Sequence, residues 1–243
     1  MAIEDTYREF LAQASADPNV AGVVLVGSRG AGEFVTDRSD FDAFVIVRAA
    51  SDAWPFVHGS PIETVALTLD RFENYALPGD PAAWNRAAFL FARVELDKAD
   101  GQIAALVERK RRLTPSEAAT LADEAVDDYI NALYRSLRNL EAGRELAGRL
   151  DSADSIPPLL TAVFALDGRV RPFNKWLQPE LAREPLSFAG LVDDADRIHR
   201  DPTPAVQREV FLRVEAHARA RGHGAAVDGW EPNVAWLRGE EPV

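Results

Sequence analysis

Cysteine is absent from this chain of 243 residues, which excludes disulfides and thiolate metal sites. No apolar run approaches the roughly 20 residues that span a bilayer. The N-terminus, Met1-Ala2-Ile3-Glu4-Asp5, is acidic and lacks the basic region of a signal peptide. We therefore expect a cytoplasmic protein with no membrane partner. The few histidines show no metal-ligand spacing and are interpreted as ordinary surface or core residues: His58, His199, His217 and His223.

Basic residues are also few, with 27 Lys and Arg against 39 Asp and Glu and a formal net charge of −12. Nucleic-acid binders gain affinity from clusters of Lys and Arg that neutralise phosphates, so we expect no nucleic-acid partner. The densest basic run, Arg109-Lys110-Arg111-Arg112, is typical of the solvated end of a helix before a linker. The acidity favours a small cationic acceptor. The sequence does not indicate an oligomeric state.

The first half of the chain alternates apolar strands with polar turns. Periodicity predicts an amphipathic helix over residues 4–15. Compact β-branched runs predict buried strands, and a helical pattern follows the last of them. The expected elements are strands over 20–26, 40–47, 62–69 and 93–96, then a helix over 102–111, with a glycine-rich turn over 27–32.

The second half shows helical patterns without strands. Thr114-Pro115-Ser116-Glu117 is a capping box with proline at the first helical position, which predicts a helix start. Further helices are expected to begin at Pro157 and, as the last one, at Thr203-Pro204. The sequence thus predicts an α+β (mixed α/β) protein, with a sheet domain over residues 1–112 and a helical bundle over residues 113–243.

The stretch that carries chemistry is Gly27-Ser28 followed, after eleven residues, by Asp40-Phe41-Asp42. Side chains alternate along a strand, so Asp40 and Asp42 project from one face and Phe41 from the other. Two close carboxylates repel each other unless a divalent cation lies between them. A glycine lets the backbone approach a ligand, and the following serine offers an N–H and a hydroxyl to phosphate oxygens. Together these features indicate a nucleotide bound with its magnesium.

The runs Val23-Val24-Leu25-Val26-Gly27-Ser28-Arg29-Gly30 and Ser39-Asp40-Phe41-Asp42-Ala43-Phe44-Val45 resemble the signature of the polymerase-β-type nucleotidyltransferase superfamily. Within it the chain is most similar to small bacterial enzymes typified by aminoglycoside nucleotidyltransferases. The resemblance implies a nucleotidyltransferase-type mixed sheet domain followed by a helical bundle. It also implies that Gly27, Ser28 and Arg29 hold a triphosphate, and that Asp40 and Asp42 bind two Mg²⁺ ions.

The same family uses a third carboxylate from a later strand, which binds one ion and acts as, or beside, the base. Glu63 is the candidate because it is a lone acid in the strand-like run Ile62-Glu63-Thr64-Val65. Glu95 and Asp97 are the alternatives. Related enzymes also place a lysine of the helical domain against the triphosphate, and the resemblance points to Lys175.

The implied reaction moves a nucleoside monophosphate, AMP from ATP in the first instance, onto a hydroxyl of a small-molecule acceptor. An aminoglycoside-like antibiotic is one such acceptor. Three alternatives stay open: a polymerase or tRNA-end-adding enzyme, which the acidic composition disfavours; a toxin–antitoxin enzyme that modifies a protein or RNA; and a non-catalytic nucleotide-binding module.

Overall fold

A computed structural model describes residues 3–240 and divides the chain into two compact units between Arg112 and Leu113. The outermost residues of the two expected domains, 1–2 and 241–243, lie outside the described part. The strands are β1 (Val20–Val26), β2 (Phe41–Val47), β3 (Ile62–Thr68) and β4 (Arg93–Asp97). The helices of the first unit are α1 (Ile3–Ala16), α2 (Gly27–Ala31), α3 (Leu69–Asn74), a 3-10 helix (Ala83–Phe89) and α4 (Gln102–Arg111).

The four strands form one mixed sheet in the order β3-β2-β1-β4. β1 pairs antiparallel with both β2 and β4, whereas β2 and β3 run parallel. The register places Val26, the last residue of β1, opposite Asp42, and it places Asp42 beside Glu63 of β3. One edge of the sheet therefore collects the end of β1 and the beginnings of β2 and β3.

Apolar side chains cover both faces of this sheet, which is why its central strands are buried along almost their whole length. On one face Phe44 and Ile46 pack with Phe72, Phe89 and α4. On the other face alternate residues of β2 pack against α1. Asp42 shares the side of Phe44 and Ile46, since side chains two apart on a strand point the same way. Phe41 lies on the face opposite Asp42, as the sequence predicts, and there it packs against α1.

The second unit is helical, and no β-strand occurs in its described part, residues 113–240. The fold class expected from the sequence, a mixed sheet followed by helices, is confirmed. The helices are α5 (Pro115–Glu141), α6 (Glu145–Leu166), a 3-10 helix (Asn174–Trp176), α7 (Leu177–Arg183), α8 (Leu191–Arg200), α9 (Pro204–Ala220), α10 (Gly224–Asp228) and α11 (Asn233–Leu237). Within residues 3–240 no helix has both the length and the apolar character needed to cross a bilayer.

The capping box at Thr114 and Glu117 is present, with each side chain accepting the other residue's backbone N–H. Three other expectations were wrong. The glycine-rich turn is the short helix α2, which Gly32 ends in a left-handed conformation. α6 begins at Glu145, so Pro157 lies inside the helix rather than at its start. Thr203 does cap α9, but the two short helices α10 and α11 follow it.

The basic run at the end of α4 also differs from its expected role as a solvated helix end. Lys110 is completely buried, and its ammonium lies 4.6 Å from the centre of the Phe72 ring. Its Nζ donates to the Glu73 carbonyl oxygen at 3.1 Å. Burial lowers the pKa of Lys110 to about 8, since desolvation disfavours the charged ammonium.

We expect Lys110→Met to raise the free energy of unfolding at pH 7 by about 1–3 kcal/mol, because it removes a buried charge and keeps an apolar stem. The folded-state pKa of about 8 lies below the unfolded value of 10.5. Between these values the unfolded chain holds more protons, so the stability of the native protein rises with pH. Urea unfolding of both proteins should therefore show a smaller difference in the free energy of unfolding at pH 10 than at pH 7. A variant that is less stable at pH 7 would contradict this account of Lys110.

Candidate functional site

Three carboxylates meet at the sheet edge where β1 ends and β2 and β3 begin. One oxygen from each of Asp40, Asp42 and Glu63 lies within 4.8 Å of the other two. Asp40 is exposed just before β2, while Asp42 and Glu63 are half-buried within their strands. The parallel pairing of Asp42 with Glu63 brings the third acid to the pair. Residues from two separate segments of sequence thus form one acidic cluster open to solvent.

Gly27 gives Asp42 the space that it occupies. A Cβ atom at position 27 would lie 2.5 Å from the Asp42 Oδ2, much closer than a non-bonded contact allows. Gly27 also has φ +68°, a left-handed conformation that glycine adopts without steric cost. The Gly27-Ser28 backbone therefore lies directly against one carboxylate of the cluster. The structure places the expected phosphate-binding turn and the expected metal ligands side by side.

Glu63 is held by the loop that precedes β3. The Gly59 N–H donates to Glu63 Oε1 at 2.7 Å, and His58 Nδ1 lies 3.0 Å from Oε2. These two hydrogen bonds, that from Gly59 first, hold the pKa of the Glu63 carboxyl below its usual range. An ionised carboxylate only accepts hydrogen bonds, so the Nδ1 atom of His58 carries the proton. Glu63 is therefore a fixed anion at neutral pH.

His58 is the contact of this cluster that sequence reasoning missed. Its loop is anchored on β3, where Val57 and Thr64 exchange backbone hydrogen bonds of 3.0 Å. Thr64 Oγ1 also donates to the Pro55 carbonyl oxygen at 3.1 Å. No sequence rule predicts a contact between a histidine and an acid five positions later. The nearest available signal was the turn formed by Gly59-Ser60-Pro61.

The two alternative acids serve other purposes. Glu95 pairs with Arg93, its neighbour two residues away on β4. Asp97 accepts from the backbone N–H groups of Ala99 and Ala104, at 2.9 and 3.1 Å, and so fixes the turn into α4. β4 adjoins β1 on the side away from β2, and neither acid joins the cluster of Asp40, Asp42 and Glu63.

Arg29 points to the segment in front of Asp40. Its Nε donates to the Ser39 carbonyl oxygen at 2.9 Å, and its Nη1 lies 3.1 Å from Glu4 Oε1 of α1. The guanidinium carbon lies 4.1 Å from the centre of the Phe41 ring. The side chain is only 10 % exposed. The expected contact of Arg29 with a triphosphate stays a prediction.

Lys175 belongs to the second unit, in the 3-10 helix Asn174–Trp176. Its Nζ lies 5.2 Å from the centre of the adjacent Trp176 ring. The neighbouring arginines are used within the same unit. Arg169 pairs with Glu180 at 2.6 Å, and Arg171 donates to Asn174 Oδ1 at 2.7 Å. The arginines near Lys175 in sequence therefore have structural roles, and the role of Lys175 at the triphosphate stays a prediction.

The chemistry of the acidic cluster fits a hard divalent cation. Mg²⁺ prefers oxygen ligands, and it is held in proteins by a few carboxylates together with the phosphates of a substrate. Asp40, Asp42 and Glu63 offer such oxygens, and the backbone of Gly27 lies directly against Asp42. The cluster contains no nitrogen or sulfur donor that would favour a softer metal.

Comparison with known proteins adds the fold. No protein-family model matches the chain, and no curated protein matches it. Among solved structures, it is similar to a nucleotidyltransferase-like protein from Exiguobacterium sibiricum, with a TM-score of 0.50 and 13 % sequence identity. The likeness covers 93 % of this chain and 78 % of that one. The chain therefore has a nucleotidyltransferase-like fold. The narrower resemblance to aminoglycoside-modifying enzymes stays a prediction.

Gly27→Ala and Gly32→Ala form a matched pair that tests the space beside Asp42. Both glycines have a left-handed φ near +70°, so each alanine should cost about 1–2 kcal/mol of stability. Nothing lies within 4 Å of a Cβ at Gly32, whereas a Cβ at Gly27 would push the Asp42 carboxylate aside. We expect only Gly27→Ala to weaken Mn²⁺ binding in calorimetry, by roughly tenfold. Equal Mn²⁺ affinity in the two variants would remove Gly27 from the site.

Proposed function

We propose that this protein is a magnesium-dependent nucleotidyltransferase. It transfers a nucleoside monophosphate, AMP from ATP in the first instance, to a hydroxyl of a small-molecule acceptor. One observation carries the proposal: the carboxylates of Asp40, just before β2, Asp42 on β2 and Glu63 on β3 lie together, and the Gly27 backbone lies directly against Asp42. The nucleotidyltransferase-like fold supports the same activity. Fold alone does not establish a function, whereas the carboxylate cluster supplies specific chemistry.

In this proposal Asp40, Asp42 and Glu63 hold two Mg²⁺ ions, and Gly27 and Ser28 receive the triphosphate. Bound magnesium would supply charge stabilisation for the attacking and leaving oxygens of an in-line displacement. The chain itself orients the reactants. Gly27 keeps the backbone close to Asp42, and Ser28 would offer its N–H and hydroxyl to phosphate oxygens.

The strand order suggests where the acceptor binds. The Gly27-Ser28 turn follows β1 and Glu63 belongs to β3, so the two lie on opposite sides of Asp42 on β2. In an in-line displacement the nucleophile enters opposite the leaving group. Pyrophosphate would therefore leave on the Gly27-Ser28 side, and the acceptor hydroxyl would approach on the Glu63 side.

Glu63 is suited to meet that hydroxyl because it is held ionised by Gly59 and His58. The acceptor oxygen forms a bond to the α-phosphorus, and the bond from that phosphorus to the pyrophosphate oxygen breaks. The hydroxyl proton passes to the Glu63 carboxylate or to water beside it. A carboxylate fixed by two hydrogen bonds can accept the proton without first moving into place.

Charge balance supports the assignment of Lys175 to the triphosphate. Three carboxylates and two Mg²⁺ ions leave about one positive charge, while a nucleoside triphosphate brings about four negative ones. Further cations are needed, and a lysine is a suitable point-charge partner for phosphate. We therefore propose Lys175 as one such cation, as the family resemblance of the sequence implies.

The acceptor class follows from the acidity of the protein. A net charge of −12 favours a small cationic hydroxyl compound, of which an aminoglycoside is one example. The same acidity disfavours nucleic acid. A partner protein as the acceptor, and a module that binds nucleotide without reacting, are the competing functions that an assay must separate.

We expect the purified protein to release pyrophosphate from ATP when Mg²⁺ and a suitable hydroxyl acceptor are present. The measurement is pyrophosphate release across a panel of aminoglycosides and other hydroxyl compounds, with EDTA as the metal-free control. Asp42→Asn should lower the rate at least a thousandfold, because it removes a carboxylate that would hold Mg²⁺ in the transition state. If the protein binds nucleotide but releases no pyrophosphate with any acceptor in the panel, it is a non-catalytic nucleotide-binding module.

Glu63→Gln and Glu95→Gln provide the matched comparison for the third carboxylate. Glu63→Gln should slow the chemical step roughly a hundredfold or more, while the affinity for Mg²⁺-nucleotide falls much less. Glu95→Gln should leave the rate unchanged, because Glu95 lies outside the cluster and pairs with Arg93. A slower reaction in Glu95→Gln with an unchanged rate in Glu63→Gln would assign the third-carboxylate role to Glu95 on β4.

A further inference from the structure

Arg29 connects the two halves of the proposed site. It directly follows Ser28, and its Nε donates to the carbonyl oxygen of Ser39, the residue before Asp40. Ser39 lies ten positions after Arg29 in the sequence, so this hydrogen bond closes the loop between α2 and the first carboxylate. The distance is 2.9 Å, that of an ordinary N–H···O hydrogen bond.

The guanidinium also fixes the residue between the two aspartates. It lies 4.1 Å from the centre of the Phe41 ring, in a cation–π contact. On β2 the Phe41 side chain points to the face opposite its neighbour Asp42, and Asp40 directly precedes the strand. Holding Phe41 on its face therefore fixes the chain between the two carboxylates.

Helix α1 supports this arrangement from outside. The Phe41 ring stacks on Tyr7 of α1, with ring centres 3.9 Å apart and an angle of 11° between the planes. Glu4 of α1 lies 3.1 Å from the Arg29 Nη1. The Glu4 carboxylate is 57 % exposed, so this ion pair contributes little by itself. The Arg29 guanidinium, by contrast, is nearly buried.

We propose that Arg29 is a positioning residue for the metal-binding carboxylates, and that it sets the spacing between the triphosphate turn and Asp40-Asp42. This inference rests on the proposed function, since it concerns the same site. It differs from direct triphosphate binding in one respect. A positioning residue affects metal affinity when no nucleotide is present, whereas a phosphate ligand does not.

Mn²⁺ binding without nucleotide tests the inference, measured by calorimetry on wild-type protein, Arg29→Lys and Glu4→Gln. Lysine keeps the charge but lacks the planar donor that bonds Ser39 and stacks on Phe41. Arg29→Lys should weaken Mn²⁺ binding roughly tenfold, as loss of a group that orients metal ligands does. Glu4→Gln should stay within about twofold of wild type, because it removes only the exposed ion pair.

A second variant keeps the test independent of the folding of Arg29→Lys. Phe41→Leu removes the ring between guanidinium and tyrosine and leaves the hydrogen bond to Ser39, so it should also weaken Mn²⁺ binding. Thermal unfolding of each sample separates the two effects. A role limited to folding would lower the melting temperature without changing the Mn²⁺ affinity of the folded protein, and this would overturn the inference.

Inorganic tripolyphosphate distinguishes the two roles of Arg29. If Arg29→Lys binds Mn²⁺ as tightly as wild type but loses affinity for tripolyphosphate, Arg29 is a phosphate ligand and the positioning inference is wrong. A failure of the proposed function looks different. In that case wild-type protein either binds no Mn²⁺ or binds it equally well after Asp42→Asn, and the residue at position 29 makes no difference.

Discussion

The pairing of β1 with β2 and of β2 with β3 is the constraint on which the candidate site depends. Its register sets Val26 opposite Asp42 and Asp42 beside Glu63. A slip of one residue would turn each acid to the opposite face of the sheet, because side chains alternate along a strand. The packing on both faces fixes that register, since a slip would move Phe44 and Ile46 away from Phe72, Phe89 and α4.

This constraint creates an unfavourable arrangement that needs an explanation. Three carboxylates within 4.8 Å of one another repel, and a fold gains nothing from bringing them together. Gly27 makes the arrangement tighter, since its missing side chain lets the backbone approach Asp42. Such a local cost at a solvent-accessible edge of the sheet is typical of a site built for a ligand. A metal-bound nucleotide would relieve the repulsion.

The sequence predicted the parts of the fold that depend on local rules. The β-branched run of β1 and the capping box of α5 each follow from residues close together in the chain. The choice of Glu63 over Glu95 came from resemblance, and the parallel pairing of β3 with β2 supplies its physical reason. No local pattern indicates that pairing.

The features that sequence reasoning missed depend on residues from different segments. Lys110 looked solvated because its neighbours are basic, yet Phe72 and Phe89 enclose it from other elements. Pro157 looked like a helix start because proline favours the first turn, but α6 already runs through it. The bond from His58 to Glu63 requires the loop before β3 to fold back on that strand, which spacing alone does not reveal.

The most direct test of the proposed site is a crystal structure with Mn²⁺ and a non-hydrolysable ATP analogue, with the metals located by anomalous scattering. The account predicts Mn²⁺ bound to the carboxylates of Asp40, Asp42 and Glu63. It also predicts the triphosphate against the Gly27-Ser28 backbone. The account would be contradicted if, at saturating concentrations, Mn²⁺ and the nucleotide bind elsewhere and no metal contacts the three carboxylates.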